Sequence, residues 1–125
     1  MAERRSIHID GLSHLTAIPV ASRIGPLLMS SVITPFDPGT RDVPETVEAQ
    51  VGNLFTHVGS MLDAAGARWT DIVKMNFWVP SADDRAALEG PWLEHFPDAT
   101  SRPARHTQVS ADARVVTADF TAYVA

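Results

Sequence analysis

Arg105 is the side chain of this sequence best suited to hold a small anion. It stands in the run Arg102-Pro103-Ala104-Arg105-His106-Thr107, between a proline turn and an apparent strand that starts near His106. A guanidinium stays charged at physiological pH. Its planar fork of donors matches a carboxylate through two parallel hydrogen bonds. A turn and a strand end would hold that fork on a stiff support, so the local reading is a carboxylate anchor.

Other familiar chemistries lack their residues. The chain has no cysteine, which excludes disulfides, thiolate metal sites and a cysteine nucleophile. His8, His14, His57, His95 and His106 form no pair at metal-ligand spacing, and there is no HExxH. No metal and no cofactor is therefore expected. His57 and His95 read as solvated or half-buried helix residues. His106 follows Arg105 in a strand, so the two side chains should point to opposite faces. His14 precedes the first hairpin and is a candidate pocket residue. Ser30 and Ser31 end a strand without the glycine-flanked elbow of a serine hydrolase, and no phosphate-binding glycine loop is present.

The elements that must position Arg105 follow from hydrophobic periodicity. Ser6 to Ile9 is a short extended start. Ile18 to Ile24 and Leu27 to Ile33 are β-like runs around Gly25-Pro26, which reads as a hairpin. Thr34 to Pro44 is a proline- and glycine-rich loop. Val47, Val51, Leu54, Val58, Met61, Leu62 and Ala65 then recur at helical spacing, with Gly66 as the stop. Gly52 and Gly59 share one face of that helix, which suits either a close approach or tolerated glycines. Ile72 to Val79 is an apolar strand with Lys74 and Asn76 on one face. Ser81 to Asp84 resembles a capping box. Leu88, Trp92 and Phe96 continue as a second helix, with a kink or restart expected at Gly90-Pro91. Thr107 to Val109 and Val115 to Val124 close the chain as strands. The order β-β-α-β-α-β-β predicts one α+β domain over residues 1–125, a mixed sheet with two helices packed on one face.

Bulk properties add limits. A chain of 125 residues suits a single domain with a real core. The net charge of -5 argues against nucleic acid or an anionic membrane as a partner. No apolar run reaches the ~18 residues needed to cross a bilayer. The start Met1-Ala2-Glu3-Arg4-Arg5 lacks the apolar stretch of a secretory signal. A cytoplasmic location is the expectation.

Three segments together resemble the RidA (YjgF) family of small imine/enamine deaminases. The first is Ser22-Arg23-Ile24-Gly25-Pro26-Leu27-Leu28-Met29-Ser30-Ser31. The second joins Glu48-Ala49-Gln50 to Ala64-Ala65-Gly66 and Asp71-Ile72-Val73-Lys74. The third is Pro103-Ala104-Arg105 before a strand. Their order and spacing carry the likeness over roughly residues 17 to 125.

The resemblance implies a chorismate-mutase-like fold, a homotrimer with clefts between subunits, and hydrolysis of 2-imino or enamino acids to 2-keto acids and ammonia. An imine conjugated to a carboxylate is already electrophilic. It needs anchoring, a positioned water and help with proton transfer, not a metal or a covalent nucleophile. By the same resemblance Arg105 binds the substrate carboxylate, and the Thr107 carbonyl helps hold the water or the imine nitrogen. Thr117 and Asp119 stand where the family carries acidic residues, and of the two Thr117 is expected to face the site with Asp119 nearer the rim. Ile18 replaces a pocket tyrosine, and Ser31 replaces the glycine after the matched serine. Ile18, Ser31, Trp92 and His14 complete the expected substrate-binding set. These departures leave open a pathway-specific deaminase of the 2-aminomuconate type, or a non-catalytic binding or chaperone-like protein on the same scaffold.

Overall fold

A computed structural model describes residues 3–125. Six strands form one mixed sheet: β1 (Arg4–Ile7), β2 (Ala21–Ile24), β3 (Leu27–Ser30), β4 (Ile72–Val79), β5 (Ala104–Val109) and β6 (Thr117–Tyr123). Their spatial order is β1-β2-β3-β6-β4-β5. All pairings are antiparallel except β4 with β5. The expected α+β arrangement is present, and the extended start proves to be a sixth, edge strand.

Strands β2 and β3 are shorter than the hydrophobic runs that predict them. The β2 ladder begins only after Pro19, which has no N–H to give it. Beyond Ser30 the chain leaves β3, and only Ile33 returns, as a single bridge to Ala118. At the hairpin, Gly25 takes a φ of 53°. That positive angle is what a type II′ turn requires at its first central position.

Helix α1 (Val47–Ala65) covers the sheet. Thr46 caps it by accepting from the Ala49 N–H, and Gly66 ends it with φ 73°. The Arg5 and Arg23 side chains donate to the Ala65 carbonyl at its C-terminus. Its buried stripe meets Leu28, Met75, Phe77, Ala118 and Phe120 from the sheet in one core. Two polar side chains of this helix are buried. Gln50 accepts from the Val116 N–H at 2.9 Å and donates to the Pro44 carbonyl at 3.0 Å, which ties the helix start to the entry of β6. His57 is also buried, contrary to expectation. Its Nε2–H donates to the Phe36 carbonyl at 2.7 Å and pins the 34–44 loop.

Between β4 and β5 lie a 3-10 helix (Ala82–Leu88) and helix α2 (Glu89–His95). Ser81 and Asp84 form the expected reciprocal capping box. The restart falls at Glu89. Pro91 then sits in the first turn of α2, where its missing N–H costs no helix bond.

Candidate functional site

Register decides which side chains can meet. Arg105 lies opposite Met75, and Thr107 opposite Phe77. Both β4 residues are buried under the helices, so Arg105 and Thr107 face the helical side. Strand β5 is a sheet edge, which lets the Arg105 side chain reach solvent beside α2.

Helix α2 shapes that spot. Glu89 and Trp92 are three residues apart and therefore share a face. Trp92 is buried, packed edge-on against Phe77 and Phe96. The Arg105 guanidinium carbon lies 4.8 Å from the centre of the Trp92 ring, within the range of a cation–π contact. Arg105 Nη2 donates to Glu89 Oε1 at 2.9 Å, and this is the one carboxylate–cation pair among the described residues. The Arg105 side chain is 28% exposed and that of Glu89 is 55% exposed. An exposed pair of this kind adds little to stability. The result is a partly exposed guanidinium with an aromatic floor and one nitrogen engaged by Glu89.

The other expected polar residues lie on the opposite side of the sheet. Asp119 pairs with Asn76, and Thr117 with Trp78. These positions alternate with buried Phe77, Ala118 and Phe120, so they face away from the helices. Asn76 Nδ2 donates to Asp119 Oδ1 at 2.7 Å, which fixes the carboxylate. His106 is opposite Asn76 on the same open face, as its alternation with Arg105 predicts. Within this chain Arg105 meets Trp92, while Thr117 and Asp119 stand together on the other side of the sheet.

Ile18 and Ser31 belong to neither group's contacts. Ile18 is half-exposed. Ser31 spends its hydroxyl on the Pro19 carbonyl at 2.8 Å and its N–H on the Val20 carbonyl, which fastens the segment after Ile18 to the sheet. His14 borders a small cavity of about 40 Å³ with Phe36, Arg41 and Met61. Its Nδ1 is buried there without a protein partner.

Glu89 and Asn76 were not anticipated as site residues. The signals were present: Glu89 is one helical turn from Trp92, and Asn76 is a carboxamide inside an apolar strand. Asp98 titrates below the usual carboxylate range because the Thr100 N–H and hydroxyl donate to it. It lies on an exposed loop. No cluster of three His, Asp or Glu suited to a metal ion occurs among the described residues. No helix there is long and apolar enough to cross a membrane.

Comparison with known proteins agrees with this architecture. The model of the family described as Endoribonuclease L-PSP matches residues 16–118. The 2-iminobutanoate/2-iminopropanoate deaminase of Escherichia coli K12 is 30% identical over 83 residues, 66% of this chain and 65% of that protein. A RutC family protein of Synechocystis is 34% identical over 59 residues, 47% of this chain and 45% of that protein. The matches thus span less than two thirds of these relatives' length. Among solved structures, RidA from the Antarctic bacterium Psychrobacter superposes with a TM-score of 0.86 at 24% identity, covering 96% of this chain and 99% of that one. The YjgF gene product of E. coli gives a TM-score of 0.84 at 22% identity, covering 95% and 98%. At such identities the structural matches speak to the fold.

Proposed function

This chain belongs to the family described as Endoribonuclease L-PSP, the RidA/YjgF family, and we propose that it hydrolyses reactive 2-imino or enamino acids. The products are a 2-keto acid and ammonia. The observation that carries the reading is the Arg105 guanidinium held on Trp92 at the sheet edge. A group so placed suits a small carboxylate-bearing substrate, and a relative at 30% identity is named as a deaminase of that class.

In the reaction, water adds through its oxygen to the imine carbon and the C=N bond becomes single. Proton transfer to nitrogen makes it a leaving group. The C–N bond then breaks with its electron pair going to nitrogen, and the hydroxyl loses its proton to become the keto oxygen. Arg105 binds the carboxylate and fixes the imine carbon relative to the water. The Thr107 carbonyl is placed by sequence to accept a hydrogen bond from that water or from the imine N–H and so help hold it. No metal or cofactor enters this scheme.

The site proposed is a cleft between copies. A single chain separates Arg105 from Thr117 and Asp119 by the thickness of its sheet. Another subunit, offering its open face beside the β5 edge, would bring both sets to one substrate. Two features support self-association as a homotrimer. Ile24, Leu27, Met29, Val32 and Tyr123 are all close to half-exposed or more, and the register puts Ile24, Leu27, Met29 and Tyr123 on the open face. An apolar surface of this kind marks an interaction site. Strand β5 also offers an unpaired edge. RNA is a poor fit as substrate, because the net charge is -5 and phosphate binding needs clustered Lys and Arg. Ammonia release from freshly generated 2-iminobutanoate tests the proposal. Release no faster than in buffer would contradict it.

A further inference from the structure

We infer that Glu89 is the second recognition group of the Arg105 site, binding the cationic nitrogen of a zwitterionic 2-iminium carboxylate. The inference rests on the deaminase reading for its natural substrate, but its chemistry stands apart from turnover.

The geometry is that of a split charge pair. Glu89 engages Arg105 through one oxygen and one nitrogen only. Among the described residues, no other acceptor bonds the Arg105 guanidinium. Four of its five N–H donors therefore have no protein partner among the described residues, more than a two-bond grip on a carboxylate needs. The second oxygen of Glu89 has no hydrogen bond there either, and the side chain is more than half exposed. Trp92 covers one face of the guanidinium, and Glu89 stands exposed at its edge.

Charge decides which ligand gains. Arg105 and Glu89 together are neutral. A plain carboxylate is attracted by the guanidinium and repelled by Glu89 only one hydrogen bond away. A molecule with a cation two bonds from its carboxylate carbon reverses the second effect. Its carboxylate meets Arg105 while its N–H groups meet the free Glu89 oxygen. A protonated 2-imino acid has that pattern, and so does a 2-amino acid. The 2-keto acid product lacks the cation, so a neutral site that holds substrate would release product.

The alternative roles are distinguishable. As a gate, Glu89 would hold Arg105 closed against every carboxylate. As a solvated surface partner, it would affect nothing. Calorimetry on the full-length protein in its native assembly separates these, with 2-aminobutyrate as the unreactive zwitterion and 2-ketobutyrate as the anion. Wild type should favour 2-aminobutyrate. Glu89→Gln should reduce that preference by roughly tenfold, the order expected for a charge-assisted hydrogen bond, and Glu89→Asp should retain most of it. An unchanged ratio in Glu89→Gln, an equal tightening of both ligands, or a wild type that binds neither would overturn the inference. Ammonia release measured on the same preparations keeps the two claims apart. A Glu89-dependent preference without deamination would contradict the proposed function alone. Deamination with a ratio indifferent to Glu89 would contradict this inference alone.

Discussion

Arg105 and Asp119 lie on opposite faces of the same sheet, in adjacent registers of strand β4: Arg105 is opposite Met75, and Asp119 is opposite Asn76. Two residues expected in one site are thereby kept apart within a single subunit. In the proposed trimer a neighbouring copy would reunite them.

Assembly is the first consequence. Light scattering at micromolar concentration should report a trimer. Met29→Glu, which puts a charge on the open face where Met29 is 51% exposed, should shift it toward monomer and remove activity, although Arg105 is untouched. A monomeric wild type that deaminates 2-iminobutanoate would disprove a shared cleft.

The open-face carboxylate comes next. Sequence position favours Thr117 as the water-facing residue. The Asn76–Asp119 hydrogen bond favours Asp119, because a fixed carboxylate can orient a water and take its proton, whereas a hydroxyl cannot act as a base near neutral pH. Asp119→Asn should lower kcat on 2-iminobutanoate by roughly 100-fold, and Thr117→Val should change it little. Equal, small effects from both would remove the open face from the chemistry.

The two glycines of α1 should respond differently to alanine. A Cβ at Gly52 meets nothing within 4 Å, so Gly52→Ala should stabilise the protein by up to about 1 kcal/mol. A Cβ at Gly59 would sit 3.4 Å from the Trp69 ring, so part of that gain should be lost there. Urea denaturation of both variants gives the comparison.

Gln50 serves the fold. Gln50→Ala leaves the Val116 N–H and the Pro44 carbonyl without their partner. The expected cost is about 1–3 kcal/mol, read as a lower midpoint in urea. Activity per folded molecule should stay near wild type.

How much of this was legible in the sequence depended on whether the cause was local. Helix α1 followed from its apolar period, with Gly66 as its stop. The 81–84 cap followed from Ser81 and Asp84, and the β2–β3 turn from Gly25-Pro26. Strand β4 was plain because six of its eight residues are apolar. Strand pairing was not legible, since it depends on partners distant in sequence. That is why Arg105 and Asp119 read as neighbours until the register set them on opposite faces. The burial of His57 was hidden for the same reason: its partner is a carbonyl on a loop 21 residues away. Glu89 was missed because an acidic residue at the start of a helix usually needs no other explanation than the helix dipole. Its contact with Arg105 arises only when β5 returns beside α2.

The role of Arg105 as carboxylate anchor is read from deamination of 2-iminobutanoate by Arg105→Ala and Arg105→Lys beside wild type. Loss of the guanidinium should cost about 2–4 kcal/mol of transition-state stabilisation in kcat/KM. Lysine should rescue poorly, because an ammonium cannot supply the planar fork. Far-ultraviolet circular dichroism should be unchanged in both, since the Arg105 side chain lies outside the core cluster. Wild type should release ammonia, with near-complete loss in both variants. An alanine variant that releases ammonia at the wild-type rate would contradict that role.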